Sequence, residues 1–188
     1  MAVDFLFENP TKQIPTIESL RKKWENIPSE SIRDTICYEY QYLEFHVWLL
    51  RNIRHTRVGH IANPPYKREI SHSVRAGSVK AAVLLCASIA EASLRAHAEK
   101  RNYKLPKNPT RRTFGCVLKA WKTGGVPHAD IAIIWQELEE LRLHRNNVHL
   151  HVAANNPNAY FEEVLAKEEA TFSNAKKVLK HLRTIKSA

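Results

Sequence analysis

Apolar positions in this chain recur at helical spacing over most of its length. Between Ser29 and about Arg54, residues Ile32, Ile36, Leu43, Val47 and Leu50 fall on one face, with Ser29 placed to cap the start. From Ser71 to about Asn102 no proline interrupts, and Val83, Ala87, Ala90 and Leu94 mark one stripe of an Ala-rich helix. Small side chains admit close neighbours, so this helix belongs in the middle of a bundle. A first short helix is expected from Thr16 to Asn26. Another is expected from Asn108-Pro109 to Lys122, because proline suits the first helical position, and Gly124-Gly125 stops it. The next runs from about His128 to His151. Asn156-Pro157 opens the last, with Phe161, Leu165, Phe172, Ala175, Leu179 and Leu182 along its inner face. No stretch alternates as a strand would. The pattern predicts an all-α bundle of four long helices with shorter accessories. Residues 1–15, with two prolines and no period, read as an N-terminal arm, and 16–188 as a single helical domain.

Composition adds a strong charge bias. Lys and Arg number 29 against 19 Asp and Glu, giving a net charge of +10 and a pI near 9.7. Such a surface attracts polyanions, nucleic acid above all, although a solvated basic surface without a partner has the same composition. The cations gather in two runs. One holds Arg51, Arg54, Arg57, Lys67 and Arg68; the other holds Arg95, Lys100, Arg101, Lys104, Lys107, Arg111 and Arg112, opposed only by Glu99. Cys37, Cys86 and Cys116 fit neither a CxxC motif nor an even disulfide framework, and Cys86 lies in the apolar run 81–87 as a small core residue. No signal sequence opens the chain, and the most apolar stretch, 81–90, falls short of the roughly 18 to 20 residues of a membrane span. A reducing, aqueous, cytoplasmic setting without membrane attachment is the expectation.

One local conflict stands out against the helical pattern. After His128 the inner face is marked by Ile131, Ile134, Trp135, Leu138 and Leu141, and the same spacing then reaches Arg145 where an apolar residue is due. At about 100° per residue, Arg142, Arg145 and His149 share a face. Charges are seldom placed on an inward stripe unless paired, at an interface or functional. Around them crowd Asn146, Asn147, His144 and His151, so permanent cations, amides and proton-exchanging imidazoles lie together. The same residues also have a purely structural reading, because Arg and His near a helix C-terminus complement the helix dipole.

The run from Leu141 to Leu150, LRLHRNNVHL, resembles the signature of the HEPN superfamily (higher eukaryotes and prokaryotes nucleotide-binding domain). The Ala-rich segment 80–94 with Glu91 is similar to that family's central helix, and 113–119 to a short element between the two. Family ribonucleases separate arginine and histidine by four to six residues. Arg145 and His151 leave five between them, Arg142 and His149 six, and Arg145 and His149 only three.

The resemblance implies a metal-independent endoribonuclease, needing no cofactor and working as a homodimer on RNA, as a toxin or host-defence effector with a possible cognate antitoxin or other partner protein. In that scheme His149 or His151 transfers protons, Arg145 holds the scissile phosphate, and Asn146 orients phosphate or histidine. Glu91 pairs with Arg145 across the bundle, unless it is a solvated acid beside Arg95. Arg142 and His144 support the site.

Two other classes compete. A non-catalytic HEPN-like module would use the same basic runs to bind RNA or protein, and its binding would fall steeply with salt. A metal site would draw on His144, His149 and His151 with His46, His55 or His60, but those spacings do not share a helical face and no HExxH or paired-cysteine motif occurs. Trp48, Trp121 and Trp135 read as core aromatics. No phosphate-binding glycine loop or Ser-His-Asp set is present in the sequence.

Overall fold

The computed structural model describes residues 14–52, 54–56, 69–146 and 157–186, without the side chains of 51–70, 72 and 157–161. The described residues are mostly helical with only a few in short strands, so the protein is all-α. The helices are α1 (Ile17–Lys23), α2 (Glu30–Asn52), α3 (His72–Lys100), α4 (Phe114–Ala120), α5 (Ala129–Ala132), α6 (Trp135–Asn146), α7 (Pro157–Ala166) and α8 (Glu168–Leu182).

Local chemistry sets the ends of these helices. Thr16 caps α1 by accepting from the Ser19 amide at 3.2 Å, and Ser71 caps α3 by accepting from Val74 at 3.4 Å. At the far end of α3, Asn102 takes φ 56°, which closes two carbonyls at once: Tyr103 N donates to Ala98 O at 2.8 Å and Asn102 N to Glu99 O at 3.2 Å.

Three expected helices are shorter than the periodicity suggests. The 108–122 segment is a single 3₁₀ turn, Pro109–Arg111, followed by α4. The 128–151 segment divides into α5 and α6, and its end lies outside the described residues. The final helix breaks at Lys167, although Phe172, Ala175, Leu179 and Leu182 are all buried as the stripe requires. Two short ladders also occur where no strand is expected. Arg54–Thr56 (β1) and Glu69–Ser71 (β2) pair in parallel with His55 opposite Ile70, and Lys122–Thr123 (β3) and Val126–Pro127 (β4) form a hairpin. Gly124 and Gly125, at φ 59° and 85°, supply the two left-handed residues that such a two-residue turn demands. These ladders are too short for any alternation to register in the sequence.

The helix α3 packs against α2, α4, α6, α7 and α8, which makes it the centre of the bundle. Val83, Cys86, Ala87, Ala90 and Leu94 are all buried along it. By length and composition alone α3 is apolar enough to cross a membrane, beyond the ten-residue stretch that the sequence singles out; half of its apolar window is buried inside the bundle. One continuous core joins Leu20 on α1 and Trp24 at its C-cap to Ile185 after α8. Trp24 and Trp121 are fully buried, whereas Trp48 and Trp135 are only half-buried, so two of the three tryptophans expected in the core sit at its margin. At the N-terminal arm, the Pro15 carbonyl accepts from the Gln41 side-chain amide at 2.9 Å; residues 1–13 lie outside the described set.

A buried histidine makes this core sensitive to acid. His97 is fully buried, with its Nε2 3.4 Å from the Asn26 amide nitrogen, which also donates to the Leu182 and Ile185 carbonyls. Desolvation, helped by the Arg101 charge and opposed by Asp130, pushes its pKa from 6.5 down to about 4. A depressed pKa means that the unfolded chain binds the proton more readily, so the stabilisation is complete above pH 6.5 and is lost as the pH falls toward 4. The loss from this group is on the order of 3 kcal/mol. Thermal unfolding scanned from pH 7 to pH 4 is expected to show it, and His97→Leu is expected to flatten that part of the profile.

Candidate functional site

Three segments meet over one face of α3 to enclose an open cleft of about 680 Å³. Its base is Leu84 and Glu91, seven residues apart and therefore on one side of α3. One wall is the loop and first turn of α4, with Thr110, Arg112, Thr113, Phe114 and Gly115. The other is the last turn of α6, with Arg142, Arg145 and Asn146. Burial explains how the walls are held. Phe114, Val117 and Leu118 root α4 in the core, and the buried Trp121 donates its indole N–H to Leu94 O on α3 at 3.0 Å. Leu138 and Leu141 do the same for α6, which is tied to α8 by Asn174 to Glu140 at 2.6 Å and Lys177 to Glu137 at 2.5 Å.

The arginine that breaks the apolar stripe enters this cleft. Arg145 is ion-paired with Glu91, and its side chain is 36% exposed against 14% for Glu91. An acid on the central helix thus receives the cation that the stripe would otherwise bury unpaired. Arg95 does not compete for it: its Nε donates to Glu99 at 2.9 Å. Arg142, one turn before Arg145, lines the same wall and is anchored to Glu139 at 2.6 Å. Three guanidinium groups therefore line the cleft, each held by a glutamate (Arg145 by Glu91, Arg142 by Glu139 and Arg112 by Glu99), with amide and hydroxyl groups beside them. Such a surface receives anions.

Of the residues singled out in the sequence, Glu91, Arg142, Arg145 and Asn146 come together here. His144 does not. It sits about 100° round α6 from Arg145, exposed, in the field of Glu140, Lys167 and Glu163 near the α7–α8 junction. Although the residue as a whole is exposed, partial desolvation of its ring lowers its pKa, with Lys167 adding to the effect and the two glutamates opposing it. His149 and His151 lie outside the described residues, as do His60 and the side chain of His55. His46 is engaged with the Ser78 carbonyl at 2.8 Å. Among the described residues no group of three or more His, Cys, Asp or Glu is close enough to hold a metal ion.

Nothing in the sequence marks Arg112, Thr113 and Gly115 as site residues. Arg112 belongs to a basic run of seven residues with nothing local to distinguish it. The other members go elsewhere: Arg101 is locked to Asp130 at 2.5 Å and to Lys186 O at 2.8 Å, whereas Lys100, Lys104, Lys107 and Arg111 are at or near the surface. Gly115 faces Arg142, whose Cδ would lie 3.7 Å from an added Cβ, an ordinary contact. Gly115→Ala is therefore expected to fold normally and to gain up to about 1 kcal/mol from helix propensity, read as a small rise in melting temperature.

Fold and site together define an all-α protein with an arginine-lined cleft beside its central helix. No family model, no curated protein and no solved structure matches the chain.

Proposed function

We propose that this protein is a metal-independent endoribonuclease of HEPN type, acting in the cytoplasm as a homodimer in which the two α6 ends contribute to one positive cleft. The observation that carries this reading is the Glu91–Arg145 pair at the base of the cleft. A cation on an inward stripe calls for a reason, and a merely dipole-complementing arginine has no need of a half-buried acid on another helix or of a cavity around its head group. The HEPN-like run around Arg145 and the basic composition point the same way.

In the proposed reaction a histidine of the motif, His149 or His151, takes the proton of the ribose 2′-hydroxyl. The 2′-oxygen attacks phosphorus, the P–O5′ bond breaks, and the 5′-oxygen leaves with a proton returned by the protein or by water. The products are a 2′,3′-cyclic phosphate and a free 5′-hydroxyl. Arg145 binds the non-bridging oxygens, where charge accumulates in the transition state, while Glu91 holds one edge of the guanidinium and fixes its direction. Asn146, exposed beside Arg145, orients the phosphate or the histidine. A nuclease of this kind suits a toxin or defence role, with an antitoxin or other partner protein to restrain it.

The test is incubation of purified protein with RNA in EDTA, beside His149→Ala and His151→Ala. Cleavage that persists with the chelator, leaves cyclic phosphate ends and is lost with one histidine supports the reading and selects the proton-transfer residue. Salt-sensitive binding with no cleavage at any protein concentration replaces it with a binding module.

A further inference from the structure

We infer that the cleft contains a second phosphate seat, built by Arg112 and Thr113 on the wall opposite Arg145, so that an RNA strand crosses the cleft from one arginine to the other. This deepens the ribonuclease reading and rests on it for the identity of the ligand.

Arg112 is fixed before any ligand arrives. Its Nε donates to Pro106 O at 2.8 Å, its Nη1 to Glu99 Oε1 at 2.5 Å and its Nη2 to Lys107 O at 3.4 Å. Those bonds use three of the five N–H groups of a guanidinium, leaving donors for a ligand on a head group whose direction is already set. A long flexible side chain ordinarily loses rotamer freedom on binding; here that loss has been met on folding. Glu99 does not cancel the charge, because it is shared between Arg112 and Arg95.

Thr113 adds an uncommitted hydroxyl to the same wall. It stands at the N-cap of α4 with extended backbone (φ −69°, ψ 163°), yet its hydroxyl makes no capping bond. Thr16, Ser71 and Asn108, in the same position on other helices of this chain, all make theirs. The Thr113 hydroxyl thus remains available to the cleft that the residue lines. Thr110 beside it is committed, its hydroxyl donating to Asn108 Oδ1 at 2.8 Å. The cleft volume, about 680 Å³, lies within the roughly 300–1,000 Å³ of ligand sites and exceeds what one phosphate would occupy.

Affinity for a fluorescein-labelled single-stranded RNA, measured by anisotropy across a salt series, tests this beside steady-state cleavage. Arg112→Gln is expected to raise Kd and KM about 10- to 100-fold. It should also flatten the log–log salt slope by about 0.7, while kcat falls far less than in Arg145→Ala. Arg112→Lys keeps the charge and is expected to restore the salt slope but only part of the affinity. Thr113→Val leaves the Glu99 network untouched and is expected to weaken binding about 2- to 10-fold, which guards against misfolding in the Arg112 variants. Wild-type affinity and salt slope in folded Arg112→Gln and Thr113→Val would overturn the second seat. Loss of cleavage in Arg145→Ala alongside that result leaves the nuclease reading standing. RNA that is bound but never cut, with both variants weakened, keeps the seat and removes the nuclease. Failure of the wild-type protein to bind RNA overturns both.

Discussion

Replacing Arg145 with alanine is expected to lower the rate of RNA cleavage about 10²- to 10³-fold, with kcat rather than KM carrying the loss. The expectation follows from where the residue stands. Its guanidinium is paired with Glu91 at the base of the cleft and its side chain keeps roughly a third of its surface accessible, so it can meet a phosphate without being freed from the acid. Interactions that strengthen as charge builds on the phosphoryl oxygens raise kcat; uniform attraction would change only binding. Arg145→Lys keeps the charge but loses the planar fork, and is expected to recover a minor part of the rate. Glu91→Gln removes the partner's charge while preserving its shape. As a positioning change it is expected to cost about 10-fold in kcat with little effect on KM. Single-turnover cleavage with circular dichroism on each variant makes the check. Wild-type rates from a folded Arg145→Ala protein would end the catalytic reading of this residue.

The largest expected effect on stability lies away from the cleft, at Arg75 and Glu168. Arg75 donates from Nε to Glu168 Oε2 at 3.0 Å and from Nη2 to Oε1 at 2.6 Å, while Nη1 reaches the Leu50 carbonyl at 2.9 Å. The arrangement joins the start of α3, the start of α8 and the end of α2, and the two side chains are only 15% and 13% exposed. Glu168→Ala leaves a desolvated guanidinium without its anion, a change that costs about 3–5 kcal/mol. For a chain of this length that is a fall of roughly 6–20 °C in melting temperature. The double variant Arg75→Leu with Glu168→Leu is expected to lose less than Glu168→Ala, since no charge is left stranded, although the Leu50 carbonyl loses its donor. Calorimetry of the three proteins checks this. A Glu168→Ala protein as stable as wild type would mean that water reaches and solvates Arg75.

Much of the bundle is legible in the chain because helical burial is periodic. The proline-free run from Ser71 to Asn102 and the stripe Val83, Ala87, Ala90 and Leu94 delimit α3 and its buried face from local information alone. The breaks are less legible. The Lys167 interruption between α7 and α8 carries neither proline nor glycine, and the β1–β2 ladder joins segments separated by a dozen residues, so both depend on contacts that a local window does not contain. For the site, Arg145 is visible as a charge in an apolar register, and Glu91 as its partner once the two helices are set side by side. Arg112 has no such mark among its basic neighbours. His144 shows the opposite: it is next to Arg145 in sequence, and the helical turn carries it to another face, away from the cleft lining.

By itself the sequence determined the helical class, the central place of α3 and the anomaly at Arg145. These depend on periodicity, capping and the cost of burying charge, all of which act between residues a few positions apart. Tertiary structure alone decided that α4 and the Pro109–Arg111 turn stand opposite α6, turning one stripe anomaly into a cleft with three arginines. It also decided that Glu99 anchors Arg112 and that Arg101 is spent on Asp130. Those assignments rest on which helices share a neighbour and at what angle. Packing of whole faces settles that, and no short stretch of sequence encodes it.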